Sequence, residues 1–301
     1  MNAWLARLSV VAIVVLHAVT GPWVRAPAIP TRPHDGARIV SWNLRNFPEP
    51  DEDLDHIRAT VDQLDADIWV LQEIVDPSVL RRVWPDATIH VSDGGGRGGQ
   101  HLAIVLPRGR ALALGPAREW SQLTAGGRVR PALALGVLTR AGPLQLVDVH
   151  LKSGRDGADL RREQWSHLRA AIAEDTTAGP WLVAGDFNLA GSRTADSVDE
   201  HARLATTLDE IDLRPLVDVG QCTSYWEGVR RDHWWVGSGL DAAYLSRAWP
   251  HASAWIGGAC ARHQCDPIHN APSHPDPDLS FVSDHCPLVI DLAGNDDDGW
   301  N

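Results

Sequence analysis

The sequence has no surplus of positive charge. Twenty-seven lysines and arginines face 39 aspartates and glutamates, for a formal net charge of −12. An acidic protein repels a polyanion at long range and gains little from counterion release, which argues against a high-affinity nucleic-acid binder. It does not exclude an enzyme that turns over a phosphodiester, because site carboxylates can be offset by a bound cation. There is no internal repeat and no low-complexity tract, so repeat, fibrous and disordered architectures drop out. Phenylalanine is scarce, three residues against 14 tryptophans, a bias for which the sequence supplies no physical reason.

Long apolar runs are missing too. The run at residues 8–19 follows Arg7 and falls short of the roughly 20 residues that cross a bilayer. With the small-x-small sequence Ala26-Pro27-Ala28 behind it, it reads as the core of an export signal covering residues 1–28. A retained membrane anchor is the second reading, because residues 4–24 reach spanning length, and a buried helix of the domain is the third. No cysteine follows the run, which argues against lipid attachment there. The four cysteines, Cys222, Cys260, Cys265 and Cys286, all lie in the last third. In an exported protein an even number points to bridges, and three full pairings are open. Closeness in sequence favours Cys260–Cys265. Cys286, at the head of an apolar strand, has the alternative of being a buried free thiol.

What is present suits one core. The chain has 301 residues, 44% of them hydrophobic. Apolar runs predict strands at 38–42, 68–71, 102–106, 132–138, 144–149, 181–184, 240–245 and 287–292. Leu54, Ile57, Val61 and Leu64 recur at helical spacing, as do Leu160, Trp165, Leu168 and Ile172. The glycine-rich stretch 94–99 is a loop and not a phosphate cradle, because no helix start follows it. Some strands are joined by helices and others follow directly, which predicts an α/β fold with mixed sheets. The expected organisation is a linker at 29–37, a single domain at 38–293 and a polar tail at 294–301.

Function is carried by the polar residues that end these runs. Asn43, Glu73, His150 and Asp186 each close an apolar run, and Asn188 lies two residues beyond Asp186. Strand ends of this kind converge on one rim of an open sheet. Oxygen donors from Glu73, Asp186, Asp284, Asn43 and Asn188 suit a hard cation such as Mg²⁺, with Mn²⁺ or Ca²⁺ as substitutes. Zinc is the weaker choice, since only His150 and His285 offer imidazoles in a fitting context. Taken singly, Asn43 and Asp186-Phe187-Asn188 read as turns, and His150 as an interior histidine. His251, His263, His269 and His274 keep that ordinary reading.

In order along the chain stand Ser41-Trp42-Asn43-Leu44, Leu71-Gln72-Glu73, His150-Leu151-Lys152-Ser153, Gly185-Asp186-Phe187-Asn188, Leu240-Asp241 and Ser283-Asp284-His285-Cys286-Pro287. Together they resemble the endonuclease/exonuclease/phosphatase superfamily, which has the deoxyribonuclease I-like fold. The resemblance implies a four-layered α/β sandwich of two mixed sheets flanked by helices, and a Mg²⁺-dependent phosphodiester hydrolase. It implies Glu73 as principal metal ligand with Asn43 beside it and Asp284 as a further metal-site carboxylate. His285 is then the general base oriented by Asp241, and Asp186 and Asn188 position the nucleophile and phosphate oxygens. His150 becomes a phosphate contact, and Arg130 or Arg128 the arginine against the phosphate. The family often places His or Tyr after the fifth motif, where this chain has Ala242, which leaves the orienter of His285 less secure. The substrate is open between nucleic acid and a phospholipid or sphingomyelin headgroup. The tryptophan-rich stretch 225–235 supports membrane association if it is not core. A dead binding module is the remote alternative. No obligate protein partner is indicated, and a monomer is expected.

Overall fold

The computed structural model describes residues 28–50, 53–93, 95, 99–189, 195–227 and 232–294. The predicted export segment, the tail at 295–301 and part of the glycine-rich loop lie outside the described residues. Among those described, no helix is long and apolar enough to cross a membrane.

Strands appear in chain order as β1 (Ala37–Phe47), β2 (Ile68–Ile74), β3 (Thr88–Val91), β4 (His101–Leu106), β5 (Leu112–Ala113), β6 (Arg118–Trp120), β7 (Ala132–Thr139) and β8 (Gly142–His150). They continue as β9 (Trp181–Asp186), β10 (Leu213–Pro215), β11 (Ser224–Glu227), β12 (Trp234–Ser238), β13 (Asp241–Ser246), β14 (Ala252–Ile256), β15 (Ile268–His269) and β16 (Leu288–Leu292). The helices are α1 (Leu54–Leu64), α2 (Leu80–Val83), α3 (Ala158–Glu174), α4 (Ala195–Asp209), α5 (Gly258–His263) and α6 (Pro277–Phe281). One sheet runs β14-β16-β1-β2-β4-β3, and the second runs β10-β13-β9-β8-β7-β5, with β6 also on β7. A third, small sheet is β11-β12-β15. The pairs β1–β2 and β8–β9 are parallel and the other pairs antiparallel, so both large sheets are mixed.

Alternation along the strands builds four layers. Ile39, Ile68, Val70, Leu102 and Ile104 of the first sheet meet Leu135, Leu144, Leu146, Leu182 and Ala243 of the second in one central core. The opposite face of the first sheet (Val40, Trp42, Trp69, Leu71, Val105) is covered by Ile57 and Leu64 of α1 and Leu80 of α2. The opposite face of the second (Val147, Val149, Val183, Tyr244) is covered by Trp165, Leu168 and Ile172 of α3 and Leu204 and Leu208 of α4. Asp53 starts α1 by accepting from the Asp55 and His56 N–H groups, and Asp65 ends it with φ of 48°. Part of the tryptophan bias now has a place. Trp42, Trp69 and Trp84 form a chain with ring centroids 6.4 and 5.5 Å apart in one helix–sheet layer, and Trp120 packs on Trp181 at 5.8 Å in the other. Tilted pairs of this kind each add about 0.5–1.5 kcal/mol beyond area burial.

The favoured Cys260–Cys265 bridge is not formed. The pairs are Cys222–Cys265 and Cys260–Cys286, and no described cysteine is free. Cys260 lies in α5 with its side chain in the central core, and two left-handed residues, Gln264 and Cys265, then reverse the chain. That reversal carries Cys265 towards Cys222, two residues before β11. Helix geometry outweighs closeness in sequence.

Candidate active site

The inward-facing row of each central strand is apolar until its last members, which are polar. On β1 the row runs Ile39, Ser41, Asn43; on β2 Ile68, Val70, Gln72; on β8 Leu144, Leu146, Asp148, His150; on β9 Leu182, Ala184, Asp186; and on β13 Leu245, Ala243, Asp241. These ends meet at one edge of the gap between the sheets. Glu73 breaks the rule, because alternation from Gln72 would send it to the helix-covered face. Its φ of 61° and the register shift between Leu71 and Ile74 turn it back to the rim. There Glu73 Oε2 accepts from the Asn46 N–H at 3.0 Å.

Asp186 is the centre. Its Oδ2 accepts from Asn43 Nδ2 at 3.0 Å and lies 3.4 Å from His150 Nε2 and 3.9 Å from His285 Nε2. Its Oδ1 accepts from the Asn188 N–H at 2.8 Å. Asn188 adopts φ of 51° and donates from Nδ2 to the Leu151 carbonyl at 3.2 Å. Gly185 is dictated by sterics: with φ of +146°, a Cβ there would stand 2.0 Å from the Val149 carbonyl oxygen. Burial pushes the Asp186 carboxyl up to about 7; His285 opposes this, while Asp241 and Glu73 add to it.

His285 Nδ1 lies 2.9 Å from Asp241 Oδ2, so the departure at Ala242 does not cost the imidazole its orienting carboxylate. Burial disfavours the imidazolium, but Asp241, then Asp186 and Asp284, override it and hold His285 well above the ordinary histidine value. His150 goes the other way. Burial, then Arg130 and His285, hold it well below, so its imidazole is neutral. Arg130 is half-buried; burial lowers its pKa while Glu73 and Asp186 raise it, and its Nε has no hydrogen-bond partner among the described residues. Arg128 is exposed and donates to the Ala125 carbonyl. The structure thus brings Asn43, Glu73, Arg130, His150, Asp186, Asn188, Asp241 and His285 together and leaves Arg128 out. Asp284 is half-buried and stands in neither of the two groups whose donor atoms come within 4.8 Å of one another, Glu73–His150–Asp186 and Asp186–Asp241–His285. A hard cation fits the first group, because burial, with Asp241 and Glu73 adding to it against His285, has raised the Asp186 carboxyl that a dication would relieve.

Several supporting residues escaped the sequence reading. Below the rim, Gln72 Nε2 donates to Asp148 Oδ1 at 2.8 Å and to Ser41 Oγ at 3.3 Å, and burial holds the Asp148 carboxyl well above the usual range. Thr223 Oγ1 accepts from the Asp241 N–H at 2.9 Å. Ser283 Oγ donates to the Asn43 carbonyl at 2.7 Å and accepts from the His285 N–H at 3.0 Å. Buried Arg161 donates to the Lys152 and Gly154 carbonyls, both at 2.7 Å, and to Glu200 at 2.7 Å, fixing the loop after His150. Ser283 was visible as a motif neighbour; Arg161 carried no signal beyond its place in an amphipathic helix.

No curated protein matches the sequence. Among solved structures, TDP2 of D. rerio complexed with single-strand DNA product is similar with a TM-score of 0.61 and 16% identity, over 85% of this chain and 98% of that one. An endonuclease/exonuclease/phosphatase from Bacteroides vulgatus gives 0.60 and 17%, over 86% and 99%. The endonuclease domain of TRAS1, a telomere-specific non-LTR retrotransposon, gives 0.54 and 16%, over 86% and 98%. At these identities the likeness is one of fold. The model of the Endonuclease/Exonuclease/phosphatase family matches residues 40–285, from the strand that carries Asn43 to His285 itself, and the chain therefore belongs to that family.

Proposed function

We propose that this protein is a phosphodiesterase of the nuclease type that acts on nucleic acid outside the cytoplasm, with Mg²⁺ as its cation. The observation that carries the reading is the convergence of Asn43, His150, Asn188 and His285 on the single carboxylate of Asp186. The names of the structural neighbours, one complexed with single-strand DNA product and one an endonuclease, support the substrate. Residues 1–28 and the two disulfides support export.

Glu73, Asp186 and Asn43 would hold the cation, which when bound would supply positive charge to a phosphoryl oxygen and offset the Asp186 charge that, after Asp241, favours the His285 imidazolium. His285 Nε2 takes the proton of the attacking water as its oxygen bonds to phosphorus and the P–O bond to the leaving oxygen breaks, that oxygen taking its proton from solvent, while Asp241 fixes the opposite ring nitrogen and stabilises the imidazolium that forms. Arg130 and neutral His150 face the phosphate oxygens, and Asn188 orients them. His285→Ala should lower turnover on a chromogenic bis-phosphoester by around 10²–10⁴. The assay is run beside single-stranded DNA with Mg²⁺ and with EDTA. Undiminished turnover in the variant, or in EDTA, would overturn the mechanism.

A further inference from the structure

An acidic protein that hydrolyses nucleic acid needs a grip on its substrate that does not rest on charge. The third sheet has the form of one. Trp226 of β11 is paired with Val236 of β12, and Trp234, two residues from Val236, is paired with His269 of β15. Opposed residues, and residues two apart along a strand, share a face, so these four side chains lie on one side of the sheet. That side is open to solvent, with Trp226 55%, Trp234 49% and Val236 38% exposed. Trp226 and Trp234 are the exposed members among the described tryptophans. The alternate residues turn the other way: Tyr225 belongs to the central core and Trp235 packs against it. The apolar face is therefore not core that happens to be thinly covered; the inner face already supplies the packing.

The sheet is also continuous with the active site. Ser224, two residues before Trp226 and on the same face, forms a β-bridge with His285. The Tyr225 N–H donates to the Asp284 carbonyl at 2.7 Å, and the Cys286 N–H to the Thr223 carbonyl at 2.7 Å. Two residues of strand cover roughly 7 Å, which puts Trp226 within reach of the nucleotides next to a phosphate at His285. We infer that the outward face formed by Trp226, Val236, Trp234 and His269 is a stacking platform for the bases of single-stranded nucleic acid entering the active site, an inference that rests on the phosphodiesterase reading. Every base offers a π-face, so such a platform binds without sequence preference and does not require a basic surface. The His269 ring, with its centroid 5.4 Å from that of Trp234 and tilted by 54° against it, adds a second aromatic face beside the indole. A bilayer interface also accepts tryptophan. The bridge from Ser224 to His285, however, ties this face to the reacting site, which favours the polymer being cleaved over a bilayer.

The test is the double variant Trp226→Ala/Trp234→Ala of the full-length protein, with binding of a short single-stranded oligonucleotide followed in EDTA by fluorescence anisotropy. The double variant should bind roughly tenfold or more weakly than wild type, the scale of losing base–aromatic stacking. Trp226→Phe/Trp234→Phe should keep most of the affinity. An abasic oligonucleotide of equal length should bind wild type as weakly as the normal one binds the alanine variant. Turnover of the bis-phosphoester should be unchanged in every variant. Equal oligonucleotide affinity for wild type and the alanine variant overturns the inference, as does absence of binding to wild type. Loss of co-sedimentation with phosphatidylcholine vesicles while oligonucleotide binding persists overturns it in favour of a membrane. Because binding is read without turnover, a failure of the phosphodiesterase reading shows separately, as absence of hydrolysis with Mg²⁺.

Discussion

Glu73 and Asp186 reach the same few ångströms by different means. Asp186 arrives by ordinary alternation behind an obligatory glycine, whereas Glu73 arrives through a left-handed backbone that reverses its strand's alternation. Holding a non-glycine residue there costs of order 1–3 kcal/mol, which the surrounding sheet must impose. Glu73→Gln keeps the volume and removes one negative charge, so it should abolish Mg²⁺-dependent turnover while leaving the melting temperature within a few degrees of wild type; wild-type turnover would remove Glu73 from the cation site. Crowded carboxylates also set the pH dependence of the cation-free protein. Asp186 is raised to about 7 from 3.8, so the stability it contributes is complete below its unfolded value and is lost as pH rises through 7. His285 is raised well above 6.5, so its contribution too is lost as pH rises through its folded value. His150 is depressed and acts in the opposite sense, but only below about 6.5. Between about pH 7 and about pH 8.5 the melting temperature in EDTA should therefore fall, and Mg²⁺ should restore more of it at the upper end than at the lower. A melting temperature that rises with pH in EDTA would show that the carboxylates are not held together as described.

At the scale of elements, one disulfide joins the segments that lead into β11 and β15 and the other joins α5 to the residue after His285, so both cross-links lie next to site residues in sequence. Cys222 precedes Thr223, whose hydroxyl holds the Asp241 N–H, and Cys286 follows His285. Thiol titration of the denatured, unreduced protein should find no free cysteine, and peptide mapping should return Cys222–Cys265 and Cys260–Cys286. Recovery of a Cys260–Cys265 peptide would contradict the fold of α5. Cys222→Ser/Cys265→Ser should cost about 2–5 kcal/mol of stability, the usual scale for removing a native bridge. The wrong pairing expected from sequence shows where legibility ended. The long central strands and helices α1 and α3 were readable, because each carries an unbroken apolar run or a helical period. Helix α4 was not, since Leu204 and Leu208 are too few in a polar stretch to announce a buried face. Strands β5, β6, β10, β11, β12 and β15 are two to five residues long and defined by their partners, not by their own composition. In the site, Asn43, Glu73, His150 and Asp186 were legible as the polar ends of apolar runs and Asp241 only through the family resemblance, and Arg130 rather than Arg128 emerges only from tertiary placement. Asp148 and Arg161 were illegible, because a buried charged group looks like any surface one until its partners are in place.

For the whole molecule, the net charge of −12 and the position of the cations bear on how a polyanion is met. The site has Arg130, and Lys152, the sole lysine of the chain, lies on the loop that follows His150. Each phosphate neutralised on a single strand contributes roughly 0.7 to the slope of log affinity against log salt. With two or three such contacts the slope stays near −2, whereas a basic nuclease with six or more contacts would exceed −4. Catalytic efficiency on single-stranded DNA should accordingly fall by only about 7- to 20-fold between about 50 and 200 mM salt at fixed Mg²⁺, and that on a small bis-phosphoester should hardly change. The Michaelis constant for DNA should be high and the sequence preference slight, because neither long-range attraction nor base-edge readout is available to lower it. If the stacking face contributes, the alanine double variant should shift the whole DNA curve downward by a constant factor without altering its slope, since stacking releases no counterions. A slope steeper than −4 would mean that a basic surface guides the substrate in spite of the net charge, and an unshifted curve would mean that the exposed tryptophans take no part in DNA cleavage.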